Sequence, residues 1–174
     1  MKRRPIPINL FDIPVFRSWD QWFLLTAGDY SQGQFNTMTV SWGMLGVMWN
    51  KAVAQVVVRP TRYTYSFIEK YPDFTLCAFP EEYRSTLSIL GTRSGRAGNK
   101  IKESGLTPIA CQKVAAPAFD EAELVLECRK AYFDDFEPAH FLADYIAGEY
   151  DNDYHRSYLG EILNVEGTDA YRRA

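Results

Sequence analysis

The chain has 174 residues, a formal net charge of −3, 47% hydrophobic and 24% charged residues, the composition of one globular domain able to bury roughly 70% of its unfolded surface. Slight acidity excludes a general nucleic-acid binder, which carries a basic face; Lys2-Arg3-Arg4 is too short to change that. No run approaches the roughly 20 apolar residues of a membrane-spanning helix, and Pro5, Pro7, Asn9 and Asp12 interrupt any apolar signal core, so a cytoplasmic protein that touches neither membrane nor nucleic acid is expected.

In chain order, residues 22–27 read as a strand closed by Gly28-Asp29, and 35–45 as a second, bent at Gly43 and Gly46. Residues 52–58 form a third, so continuously apolar that burial on both faces is expected. Pro60 resets the chain; 61–71 fit a helix that Pro72 ends. A fourth strand spans 73–79, and Pro80-Glu81-Glu82 opens a helix to Leu90, since proline and acids suit a first turn. Residues 92–99 are a basic, glycine-rich loop, 99–104 a short helix, and 109–114 an edge strand. Alternation from Ala122 to Arg129 predicts a half-buried strand reaching about Phe133. A short helix over 138–146 and a last strand over 158–165 complete the pattern. Cys77, Cys111 and Cys128 form no CxxC pair, and Cys77 and Cys128 lie in apolar runs, so reduced core residues are expected. Several strands with short helices between some of them predict a mainly β barrel with helical insertions rather than a doubly wound parallel sheet. The aromatic share, 15%, suits a β-rich core and an oligomer contact, or flat rings beside a ligand.

Three runs carry candidate chemistry. In Val58-Arg59-Pro60-Thr61-Arg62-Tyr63-Thr64, a strand ends in a cation and a helix begins. Arg59 can grip a phosphate with two parallel N–H bonds, and Thr61 and Thr64 fall in a first turn whose free N–H groups favour an anion. The plainer alternative pairs Arg59 with a carboxylate and leaves Thr61 as a helix cap. Upstream, Asn36-Thr37-Met38-Thr39-Val40-Ser41-Trp42 offers main-chain donors to the edge of a flat heterocycle, or is an ordinary strand with Met38, Val40 and Trp42 in the core. Downstream, Ser94-Gly95-Arg96-Ala97-Gly98-Asn99-Lys100 can bring a hydroxyl, an N–H and an ammonium to the same anion, or is a solvated basic turn. There is no Walker loop, GxGxxG, HExxH or GxSxG, so the P-loop, Rossmann, zincin and hydrolase-elbow readings lose support.

These runs, in this order, resemble the flavin reductase-like FMN-binding split-barrel family, in particular its flavoredoxin-like branch, over about residues 19–163. The resemblance implies a six-stranded antiparallel split β-barrel and a homodimer with FMN near the subunit interface. It implies that Asn36, Thr37, Met38, Thr39, Ser41 and Trp42 line the isoalloxazine ring, and that Arg59, Thr61, Thr64, Ser94, Gly95 and Lys100 surround the phosphate. Relatives often carry an acidic residue just before the lysine, where this chain has Asn99. The expected activity is hydride transfer from NAD(P)H to N5 of the flavin, with the cofactor carrying the chemistry. The alternative is an electron carrier served by a redox protein, without its own nicotinamide site; a third is a barrel of the same fold that holds haem or nothing.

Overall fold

The computed structural model describes residues 2–173. In chain order the elements are β1 (Arg4–Pro5), α1 (Val15–Asp20), β2 (Phe23–Asp29), β3 (Gln34–Val40), β4 (Gly43–Met48), β5 (Lys51–Val58), α2 (Tyr63–Lys70), β6 (Asp73–Ala78), α3 (Arg84–Thr92), α4 (Lys100–Ser104), β7 (Pro108–Ile109), β8 (Ala118–Phe119), β9 (Leu124–Asp135) and β10 (Arg156–Gly167). The main sheet is antiparallel in the order β3-β2-β6-β9-β10-β5-β4, with β1 on β10. β7 and β8 pair apart from it.

That order places β3 and β4 at opposite edges, yet only Ser41 and Trp42 separate them in the chain. Two residues reach at most about 10 Å, so the sheet curls until its edges meet at one end without pairing. This is a split barrel, built on eight strands of one sheet rather than six. The expected single strand over 35–45 is really β3 and β4, broken where the chain crosses this seam. Gly43 opens β4 because a Cβ there would lie 2.2 Å from the Trp19 ring and 2.4 Å from the Gln55 carbonyl.

Strand alternation sorts apolar side chains onto two faces. Phe23, Leu25, Met38, Val56, Val58, Phe74, Leu76, Leu126 and Tyr158 fill the barrel. Leu24, Cys77, Phe79, Leu87, Leu90, Phe119 and Val125 form a second core beneath α3. The second core corrects the expectation for β9: Leu124 to Cys128 are buried throughout, Glu127 included, rather than on one face. Cys77 and Cys128 are buried free thiols, and burial raises the Cys77 thiol to about 12.

Other boundaries differ for local reasons. The helix expected over 61–71 starts at Tyr63. Of 109–114, only Ile109 is in a strand. The following loop is pinned instead by buried carboxylates: Asp73 accepts from the Ala115 and Ala116 N–H groups, and Glu127 from those of Gln112 and Lys113. The helix expected over 138–146 is two 3-10 turns, Pro138–His140 and Asp144–Glu149. No described helix is long and apolar enough to cross a membrane.

Candidate cofactor site

Where the sheet edges approach, a cleft of about 240 Å³ is lined by Met38, Thr39, Val40, Ser41, Trp42, Val57, Arg59, Arg62 and His155. Its floor follows from the seam. β3 pairs only with β2, so its outer edge presents free main-chain groups, and Ser41 and Trp42 lie outside any ladder. Met38 and Val40 are buried, whereas Trp42 is 41% exposed and is therefore a wall rather than core. The Thr39 hydroxyl donates to the Leu87 carbonyl at 2.5 Å, fixing the edge against α3. Burial and neighbouring Arg59 push the His155 imidazole down to about 4, so it is neutral near pH 7.

A second cleft of about 80 Å³ opens at the start of α2, lined by Asn36, Met38, Thr61, Arg62, Tyr63, Thr64, Thr92, Arg93, Ser94, Gly95 and Lys100. Met38 and Arg62 line both clefts, which therefore adjoin. The second holds the cations Arg62, Arg93 and Lys100 and no carboxylate. Lys100 is buried, and its ammonium donates to the Leu90 and Arg93 carbonyls at 2.6 and 3.1 Å, at the end of α3. Burial and the Arg62 charge lower it to about 8. Burial, then Arg59, lowers Arg62 as well. Arg93 is paired with Glu103 at 2.9 Å, but among the described residues Arg62 and Lys100 meet carbonyls and no carboxylate, beside the first-turn N–H groups of α2, and an anion relieves their repulsion. Asn36 donates to the Thr64 hydroxyl at 2.7 Å, joining β3 to that first turn. Gly95 lets the basic loop close over them: a Cβ there would meet Asn36 Oδ1 at 2.4 Å and the Tyr63 ring at 2.8 Å.

The structure brings most of the candidate residues together in these adjoining clefts, with three differences. Arg59 lines the larger cleft rather than the small basic one. Its Nη1 donates to both carboxylate oxygens of Asp153 at 2.8 and 2.7 Å, and its Nη2 to the Glu149 carbonyl at 2.8 Å. The carboxylate-paired alternative describes it. Thr61 precedes the helix and lines the basic cleft from outside its first turn. Thr37 lines neither cleft: its buried hydroxyl donates to the Leu25 carbonyl and accepts from Thr26, both at 2.9 Å. Arg62, Arg93 and His155 were missed. Arg62 had a signal, since a helix beginning at Tyr63 makes it the N-cap residue; His155 had none, because it arrives from the far end of the chain.

An antiparallel barrel open along one seam, with a cleft walled by Met38, Val40, Trp42 and Val57 beside a smaller cationic one, has the parts to receive a flat ring with an anionic tail. The flavin reductase-like domain family matches residues 20–171, and the chain belongs to that family. An uncharacterized protein of Archaeoglobus fulgidus is 27% identical over 79% of this chain and 68% of its own length. Among solved structures, an FMN-binding domain of a flavin reductases-like enzyme from Shewanella baltica covers 95% of this chain and 77% of its own, at 16% identity and a TM-score of 0.68. Flavoredoxin of Desulfovibrio vulgaris covers 98% and 78%, at 22% identity and the same TM-score, 0.68. Both likenesses are of fold.

Proposed function

We propose that this protein is an FMN-binding oxidoreductase that accepts hydride from NAD(P)H. The observation that carries this reading is the small cleft holding Arg62 and Lys100, neither paired with a carboxylate among the described residues, which shares Met38 and Arg62 with the larger cleft walled by Val40, Trp42 and Val57 at the sheet seam. FMN has the matching parts, a flat heterocycle and a terminal phosphate. The two clefts together are at the low end of the range usual for small-molecule sites, about 300–1,000 Å³. When bound, FMN supplies the hydride and electron chemistry, and the chain binds and orients it. Arg62, Thr64, Ser94 and Lys100, which line the small cleft, would hold the phosphate by charge-assisted bonds and helix N–H groups. Met38, Trp42 and Val57 cover the ring. Main-chain groups of residues 39–41 would offer fixed dipoles to the polar edge of a bound flavin, already oriented and needing no reorganisation. No side-chain nucleophile is required.

A second copy of the chain completes the site. β4 is a sheet edge, and its hairpin with β5 exposes Met44, Val47, Met48 and Trp49, with Tyr132 and Phe133 exposed nearby on β9. An uncovered apolar edge of this kind invites pairing, and it adjoins Trp42 at the cleft.

The test is an absorption spectrum of the purified protein loaded with FMN, followed by anaerobic addition of NADH or NADPH. Rapid loss of the visible flavin band is expected. Loss with dithionite or a reduced redox protein alone would make this an electron carrier, and a preparation that ignores FMN would end the flavin reading.

A further inference from the structure

The segment between β9 and β10, residues 136–155, forms a strap of rings. Phe141 stacks on Tyr150 at 5.8 Å with planes 5° apart, Tyr150 lies 5.0 Å from Tyr154, and Phe136 meets Phe141 edge-on at 6.2 Å. At its base, Arg156 grips Asp135 through two bonds of 2.7 and 2.6 Å. Its far end is held differently. Among the described residues, every hydrogen bond and ion pair that joins residues 137–154 to the rest of the protein beyond His155 ends on Arg59. The guanidinium also lies 5.3 Å from the Tyr150 ring.

This single fastening bears on the ring cleft. Tyr150 meets Trp42 edge-on at 6.4 Å, and its hydroxyl is 3.0 Å from His155 Nδ1, whose ring is 5.2 Å from Trp42. So Trp42, Arg59 and His155, all lining the cleft, are each held by a strap residue. The Arg59 and Asp153 side chains are only 29% and 24% exposed, which sets this pair apart from freely solvated ion pairs of negligible worth.

We infer that Arg59 is a positioning residue, a latch that fastens the strap behind the cleft wall and so sets how fast a flavin enters and leaves. This rests on the flavin-binding reading above. It opposes the assignment of Arg59 to the phosphate, and the two differ in measurable ways. A phosphate ligand discriminates FMN from riboflavin; a latch treats them alike, because it acts on the wall at the ring end.

The experiment compares wild type, Arg59→Gln and Asp153→Asn. Asp153 lines neither cleft, so its substitution reports on the latch alone. Stopped-flow fluorescence gives association and dissociation rates for FMN and for riboflavin, and hydrogen exchange gives strap protection in the ligand-free protein. Both variants should exchange both flavins at least tenfold faster, with Kd changed less than either rate and amides of 141–154 exchanging faster. Wild-type rates and protection in Asp153→Asn would overturn the latch. So would an Arg59→Gln variant that loses FMN alone. If wild type binds no flavin, the flavin reading fails and takes the role in ligand exchange with it, while the exchange data still decide whether the pair fastens the strap.

Discussion

Raising the pH through 8 should loosen the phosphate end of the site and leave the ring end unchanged. In the free protein, burial and the Arg62 charge hold the Lys100 ammonium at about 8, against an ordinary lysine value of about 10.4. A phosphate dianion in the same cleft favours the charged form and returns the group toward its ordinary value. Above about pH 8, binding must then be accompanied by return of a proton from solvent to Lys100. With free and bound values of about 8 and about 10.4, the FMN Kd is weakened about tenfold at pH 9 relative to pH 7. Fluorescence titration between pH 7 and 9 measures this, above the range in which the phosphate itself protonates, near pH 6. Riboflavin has the same ring and no phosphate, so it should show no such slope. Lys100→Met should weaken FMN at pH 7 and abolish the slope. A pH-independent FMN Kd, or a parallel loss for riboflavin, would refute the placement of the phosphate beside Lys100. Linkage adds a check on the ligand-free protein. From about pH 8 to about 10.4 the unfolded chain binds more protons at this lysine than the folded one, so this group makes folding stability rise with pH across that window.

Other expectations follow from single contacts. Gly95→Ala sets a methyl against Asn36 Oδ1 and the Tyr63 ring, at 2.4 and 2.8 Å before relaxation, so the basic loop must back away; titration should show FMN weakened more than riboflavin. Asn36→Ala removes the buried bonds to the Thr64 hydroxyl and the Thr37 carbonyl, and urea unfolding should show a loss of about 1–3 kcal/mol. Val47→Glu places a charge on the exposed edge hairpin and should turn a sedimenting dimer into a monomer without reducing the stability of the fold; an unchanged dimer would show that the second copy sits elsewhere.

The fold was legible where local pattern and tertiary burial agree. β5, α2 and β6 lie close to their expected positions because Pro60, Pro72 and Pro80 punctuate them and β5 is an apolar run. The strand expected over 109–114 misled because β propensity there competes with buried Glu127, which captures the Gln112 and Lys113 N–H groups, while Asp73 holds those of Ala115 and Ala116 just beyond. Those acids stand some 15 to 40 residues away in the chain, and no local window contains them. The seam at Ser41-Trp42 was hidden for a related reason. Gly43 signals a bend in residues 35–45, but it is the closure of the whole sheet that turns the bend into a break.

The site was legible in its residue types and less so in their assignment. The run from 58 to 64 announces a cation at a helix start, but two arginines compete for that place, and spacing alone favoured the one at the strand end. The structure separates them by what else is near. Arg59 meets an acidic strap that supplies a carboxylate, a carbonyl and a ring. Arg62, at the N-cap, meets other cations, and its guanidinium donates to the Gly91 carbonyl. A guanidinium already paired on both nitrogens has little left for a phosphate, whereas one whose neighbours are positive gains from any anion that arrives. The physical rule is therefore about the counter-ion rather than the cation. An arginine at a strand–helix junction marks an anion site when the fold gives it no carboxylate, and that depends here on Asp153, which lies 94 residues downstream of Arg59.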